Sequence, residues 1–140
     1  KIEQMFKKIK KYIDTEDVIL VETTISNALE EAKNLIKAGQ KRIILDGLYS
    51  WTEYKALKRE FPGQLTVLAV VVPKALRHFR VGKRPERPFN TKEIQERDRS
   101  EIENLEKGGP IAMADHYVLN DDSVAKLHED VEKILERIEF

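Results

Sequence analysis

Apolar residues recur along this chain at two periods, and the alternation between them predicts helices and strands in turn. Ile2, Met5, Phe6, Ile9 and Ile13 share one face at helical spacing, with lysines between them, so 2–13 reads as an amphipathic helix. Val18–Glu22 (V-I-L-V-E) is a short apolar run and reads as a buried strand. Ala28, Leu29, Ala32, Leu35 and Ile36 mark the inward face of a second helix, capped by Thr24 or Ser26 and stopped by Gly39. Arg42–Asp46 (R-I-I-L-D) reads as the second strand. A helix over 52–60 stops before Phe61-Pro62-Gly63. Leu65–Val72 (L-T-V-L-A-V-V-V) follows as a strand apolar on both faces, as a parallel sheet requires.

Pro73 ends that strand, and 74–81 reads as a short helix. Arg84, Pro85, Arg87 and Pro88 make 84–90 an exposed loop. Thr91 caps a long helix to about Lys107, which Gly108-Gly109-Pro110 breaks. His116–Asn120 is the last strand and Val124–Ile138 the last helix, with Val124, Leu127, Val131, Ile134 and Leu135 on one face. Strands separated by helices predict an α/β three-layer sandwich, helices covering both faces of a mainly parallel four-stranded sheet. Its expected spatial order is 42–46, 18–22, 65–72, 116–120 (2-1-3-4), because the strand at 18–22 crosses to 42–46 and the chain must then return past it. The whole of 1–140 reads as a single domain, with 74–107 as a lid-like insertion.

Composition narrows the partners. The chain has 140 residues, 41% hydrophobic and 36% charged, with formal net charge +0, so no general affinity for nucleic acid or membrane surfaces is expected. It has no cysteine, which excludes disulfides and thiolate metal sites. His78, His116 and His128 are too dispersed to suggest a metal centre. No apolar run approaches the roughly 20 residues that span a bilayer. The opening K-I-E-Q-M-F-K-K-I carries Glu3 and no small-residue cleavage site, so it does not read as a targeting peptide and a cytoplasmic location is expected.

Three segments carry chemistry together: R-I-I-L-D-G-L-Y-S-W from Arg42, R-H-F-R-V-G-K-R-P-E-R-P-F-N from Arg77, and E-N-L-E-K-G-G-P-I-A-M-A-D-H-Y-V-L-N-D from Glu103. In this order and spacing, residues 42–138 resemble the dephospho-CoA kinase-like, nucleotide-kinase-like branch of the P-loop NTPases. That branch implies a glycine loop, G-x-x-x-x-G-K-[ST], whose backbone N–H groups cradle phosphates. The glycines here are Gly39, Gly47, Gly63, Gly82, Gly108 and Gly109, and no pair of them makes that loop. Residues 2–47 are similar to the flavodoxin-like amino-terminal sensory domain of propionate-type transcription regulators, through I-x-x-x-F-x-x-I-x-x-Y and A-x-x-x-A-K-x-L-I-x-x-G. The two resemblances together suggest a chimeric or designed chain, or a kinase relative that has lost its nucleotide grip.

The kinase resemblance implies roles for particular residues. Asp46, at a strand end facing the ligand crevice of α/β folds, would lie near phosphates and metal, or else form a solvated turn with Gly47. The resembling kinases often carry an arginine two residues after that glycine, where this chain has Tyr49. Arg77, Arg80, Arg84, Arg87, Arg97 and Arg99 resemble lid arginines, whose planar forks neutralise a transferring phosphoryl group. Alternatively they form a solvated face balanced by Glu86, Glu93, Glu96, Asp98 and Glu101. Asn120 resembles the residue that meets the edge of an adenine ring, or starts a turn with Asp121 and Asp122. Thr24 and Ser26 offer hydroxyls at a helix N-terminus, for a cap or for an anion.

The candidate catalytic set is therefore Asp46, Arg84, Arg87 and Arg97, and the candidate phosphate-binding set Thr24, Ser26, Arg77, Arg80 and Asn120. Without the glycine loop a catalytically silent α/β domain is expected, with no cofactor, weak phosphate binding at most, and a monomeric or strand-exchanged dimeric state. The alternatives are an ATP- and magnesium-dependent phosphotransferase whose phosphate loop lies outside this chain, and a small-molecule sensor domain.

Overall fold

The computed structural model describes residues 18–22 and 25–140, with side chains from Asn27 onward. The predicted helix 2–13 lies outside the described residues. In chain order the elements are β1 (Val18–Glu22), α1 (Ile25–Lys37), β2 (Arg42–Asp46), α2 (Trp51–Glu60) and β3 (Leu68–Val71), then α3 (Lys74–Gly82), α4 (Thr91–Glu103), α5 (Gly108–Ala112), β4 (His116–Leu119) and α6 (Val124–Arg137). The fold is α/β, and its strands pair in parallel.

Local chemistry sets the element ends. α1 closes where Gly39 takes φ +93°, with the Gly39 and Gln40 N–H groups returning to the carbonyls of Ile36 and Leu35. α2 and α4 each open with a reciprocal capping box, Ser50 with Glu53 and Asn90 with Glu93. Thr91 was the expected cap of α4; the capping residue is its neighbour Asn90.

Two element predictions are corrected. Gly108-Gly109-Pro110 does not simply break a helix but opens the short α5, where Pro110 sits in the first turn and its missing N–H costs nothing. The strand predicted over 65–72 is shortened to 68–71. Val67 gives its N–H to Asp115 Oδ2 at 2.7 Å, and its carbonyl takes the N–H groups of both Asp115 and His116. Side-chain capture of that donor fixes where the ladder starts.

The predicted four-stranded sheet is not what the described strands form. β1 pairs with β2 from Val18↔Arg42 to Glu22↔Asp46, and β3 pairs with β4 from Leu68↔His116 to Val71↔Leu119. Both of these neighbour pairs belong to the predicted order. The expected pairing of 18–22 with 65–72 does not occur among the described residues.

Packing follows the same division. Ala32 of α1, Leu57 of α2 and Phe61 directly after α2 form one buried cluster, over Ile43 and Leu45 of β2. Val118 of β4 and Leu127, Val131 and Ile134 of α6 form another, with Leu68 of β3 against it. The opposite face of the β3–β4 pair stays open: Tyr117 and Leu119 are about half exposed, against the expectation that this strand region is covered on both faces. α2 meets α5 through Trp51 and Gly109.

Candidate functional site

Asp46 and Asn120 stand at the carboxyl ends of β2 and β4, while the candidate arginines lie on α3, in the loop after it and on α4. Asp46 closes β2 in a half-buried position. Burial pushes its carboxyl above the ordinary aspartate value of 3.8, and the bond from the Gly47 N–H opposes that shift. A carboxyl raised in the folded state holds its proton to a higher pH than in the unfolded chain. Its ionisation therefore removes stability as pH rises from the unfolded value through the folded one, and the loss is complete at neutral pH. Asp46→Asn is expected to be at least as stable as the parent at pH 7, with the difference vanishing near pH 3. Urea titrations at the two pH values measure it, and a clear loss at pH 7 contradicts the burial argument.

The arginines divide into anchored and free. Arg77 Nη2 donates to Asp98 Oδ2 at 2.6 Å, and His78 Nε2 lies 2.8 Å from the same oxygen, which ties α3 to α4. Arg80 donates through Nη1 to the Asn120 carbonyl at 2.7 Å and to Asn120 Oδ1 at 3.2 Å, tying α3 to the end of β4. Asn120 therefore keeps its amide N–H donors for another partner. Arg97 pairs with Glu101 one turn on, at 3.0 Å, and lies over the Phe89 ring.

Arg84 and Arg87 differ. Both are exposed in the loop between α3 and α4, and neither guanidinium has a hydrogen-bond or ion-pair partner among the described residues. Replacing both by Ala is expected to change folding stability by less than about 0.5 kcal/mol, the usual range for surface sites that lack such contacts. A denaturant titration measures this, and a loss of several kcal/mol would mean the segment is docked.

Thr24 and the side chain of Ser26 lie outside the described residues. Asp46, Arg80 and Asn120 all stand at strand ends or on the helix leaving β3, whereas Arg97 belongs to a separate ion-pair group on α4. Sequence reasoning treated Asp98 and Glu101 only as balancing charges and overlooked Lys107. Asp98 takes both Arg77 and His78 on one oxygen, and Glu101 receives Arg97 and Lys107 through different oxygens. Burial opposes ionisation of Glu101, but the bonds from those two cations outweigh it and hold the carboxyl below its usual range. No local signal pointed to Lys107, whose partners Glu101 and Tyr49 are set by the fold. No group of three or more His, Asp or Glu suited to a metal occurs among the described residues. No helix among them is long and apolar enough to cross a membrane.

No family model matches the chain. It is similar to a UPF0200 protein of Pyrococcus abyssi, 35% identical over 109 residues, which cover 76% of this chain and 57% of that protein. A UPF0200 protein of Sulfurisphaera tokodaii is 31% identical over 105 residues, 73% of this chain and 58% of its own length. One from Thermococcus onnurineus is 29% identical over 114 residues, 79% and 60% respectively. The matched regions thus span a little over half the length of these archaeal relatives, whose name states no reaction.

Proposed function

We propose that these residues form the acceptor and lid side of an ATP-dependent phosphotransferase of the nucleotide-kinase-like kind. In this reading the phosphate-binding loop is supplied by residues outside the chain, and the 140 residues alone are catalytically silent. The observation that carries it is the division of the arginines. Arg77 and Arg80 tie α3 to Asp98 and Asn120, while Arg84 and Arg87 in the loop beyond its end have no acceptor among the described residues. A lid needs this arrangement: a fixed hinge side and cationic forks free to close over a phosphoryl group whose charge grows in the transition state. Asp46 at the strand end would orient the attacking hydroxyl and accept its proton. ATP and magnesium would be needed, the metal offsetting phosphate charge, with Asp46 the candidate carboxylate that would lie near it.

Two further points support it. The relatives are longer than the matched region, which leaves room in such proteins for a strand, glycine loop and helix. The four-stranded sheet of order 42–46, 18–22, 65–72, 116–120 is part of the same proposal, since a ligand crevice in α/β folds forms at the carboxyl ends of a continuous sheet. The missing glycine loop instead favours a second reading, a silent scaffold of chimeric, designed or degenerate origin. The sensor reading has no observation beyond its resemblance.

Calorimetric titration of the 140-residue chain with ATP and magnesium is expected to give no micromolar complex and no hydrolysis. A micromolar, magnesium-dependent complex would overturn the placement of the phosphate loop outside the chain. Amide spectra recorded with magnesium and ADP at millimolar concentration separate the two readings. Shifts at Arg84, Arg87 and Asn120 support the lid, and their absence leaves the silent scaffold.

A further inference from the structure

The turn after β2 is built around a phenol and an ammonium group that no role above uses. Gly47 takes φ +103°, and the Tyr49 ring folds back onto it. A β-carbon at Gly47 would come within 2.8 Å of Tyr49 Cε2 and 3.2 Å of the Tyr49 hydroxyl oxygen. The hydroxyl is thereby brought back beside the residue that follows Asp46. On the same ring lies Lys107, with Nζ 5.5 Å from the centroid, contributed by the segment between α4 and α5. Two parts of the chain more than fifty residues apart thus place a donor and a cation at the mouth of β2.

The arrangement is held from both sides. The Glu53 carboxylate accepts the N–H groups of Tyr49 at 2.7 Å and Ser50 at 2.9 Å, and Ser50 Oγ accepts from the Glu53 N–H at 3.1 Å. Two residues beyond Lys107, Gly109 lies against the Trp51 ring. The Lys107 N–H donates to the Glu101 carbonyl at 3.0 Å, fixing the backbone from which its side chain departs. Little rotational freedom is left to lose on binding, which favours a ligand subsite.

Charge completes the case. Lys107 Nζ bonds Glu101 Oε2 at 3.1 Å and Arg97 Nε bonds Glu101 Oε1 at 3.0 Å, so one carboxylate faces two cations. Glu53 is engaged by two backbone N–H groups at the start of α2, where the helix dipole already offsets a negative charge. Asp46 takes the Gly47 N–H. Tyr49 itself is 55% exposed, so solvent and ligand reach this corner.

We infer that Tyr49 and Lys107 form an anion subsite beside Asp46, which takes the phosphate-monoester end of a small acceptor molecule. The role rests on the phosphotransferase reading above, but the subsite can be tested apart from it. Lys107 supplies the charge and the Tyr49 hydroxyl one directional hydrogen bond. Asp46 stands where an acceptor hydroxyl would be oriented.

The test is an amide-resonance titration of the 140-residue chain with inorganic phosphate, with chloride at matched ionic strength as the control. Phosphate is expected to shift Gly47, Tyr49 and Lys107 saturably, and chloride is not. Lys107→Gln should weaken the phosphate affinity about tenfold or more, the scale of one charged hydrogen bond, whereas Lys107→Arg should largely retain it. Tyr49→Phe, which removes only an oxygen, should weaken it less. Unsaturable shifts, equal shifts with chloride, or the parent affinity in Lys107→Gln would overturn the subsite. If Lys107→Gln loses its folded spectrum, Tyr49→Phe decides: parent affinity there overturns the proposal. Phosphate shifts at Gly47 and Tyr49 without ADP shifts at Arg84 and Arg87 would keep the subsite and remove the lid. The converse removes the subsite alone.

Discussion

Leu57→Ala is expected to lower the stability of the folded chain by about 2–5 kcal/mol, the range for a buried leucine cut back to alanine. Leu57 is 2% exposed, and it lies where α1, α2 and β2 meet, against Ala32, Phe61 and the partly buried Ile43 and Leu45. Ala32 has no side-chain length with which to refill the space, and Phe61 is fixed at the end of α2 by its N–H to the Leu57 carbonyl at 2.9 Å. The cavity should therefore stay open rather than collapse. Urea unfolding followed by Trp51 fluorescence and by far-ultraviolet circular dichroism measures the loss. It also tests whether the two hydrophobic clusters act as one unit. Coincident transitions, both shifted by the substitution, are expected for a single chain of this size. A shift in fluorescence alone would mean that the cluster around Val118 and Val131 folds independently.

How far the sequence revealed this molecule depends on the range of each interaction. Period and punctuation placed every described helix except α5, because amphipathic spacing, Gly39 and Phe61-Pro62-Gly63 all act within a few residues of where they stand. Both strand pairs were legible for the same reason: V-I-L-V-E and R-I-I-L-D announce buried strands without reference to anything distant. Joining the pairs into one sheet needed information that no local pattern holds, and the expected pairing of 18–22 with 65–72 is absent among the described residues. The shortened β3 had the same origin, since the donor of Val67 is taken by Asp115, 48 residues away.

The site divides likewise. Asp46 and Asn120 could be picked from their places at strand ends, and Arg84 and Arg87 from the prolines that hold their loop out of the core. The anchored roles of Arg77 and Arg80 depend on Asp98 and Asn120, partners 21 and 40 residues distant, and arginine spacing alone could not separate them from the free pair. Lys107 was invisible for a further reason. A single lysine before two glycines has no pattern of its own, and it gains meaning only when Tyr49 lies beneath it.

Gly109→Ala should reach both the fold and the proposed subsite, although it adds a single methyl group. The new β-carbon would stand 2.8 Å from Trp51 Cε3, closer than carbon atoms tolerate, and a tight 3.1 Å from both Cβ and Cδ2 of that residue. Trp51 cannot easily recede, since its ring is stacked on Tyr54 at 5.1 Å between centroids and Tyr54 is buried. α5 must then lift away from α2, with an overpacking cost of about 1–3 kcal/mol. Lys107 immediately precedes α5, so that displacement should draw its ammonium off the Tyr49 ring and weaken phosphate binding together with stability. Gly108→Ala is the matched control: a β-carbon there meets nothing within 4 Å, and alanine suits a helix better than glycine. Thermal unfolding and phosphate titration of the two variants are expected to diverge, with Gly108→Ala at or above the parent and Gly109→Ala below it in both. Equal behaviour of the two would show that α5 does not rest on Trp51, and the link from the packing of α2 to the position of Lys107 would fail with it.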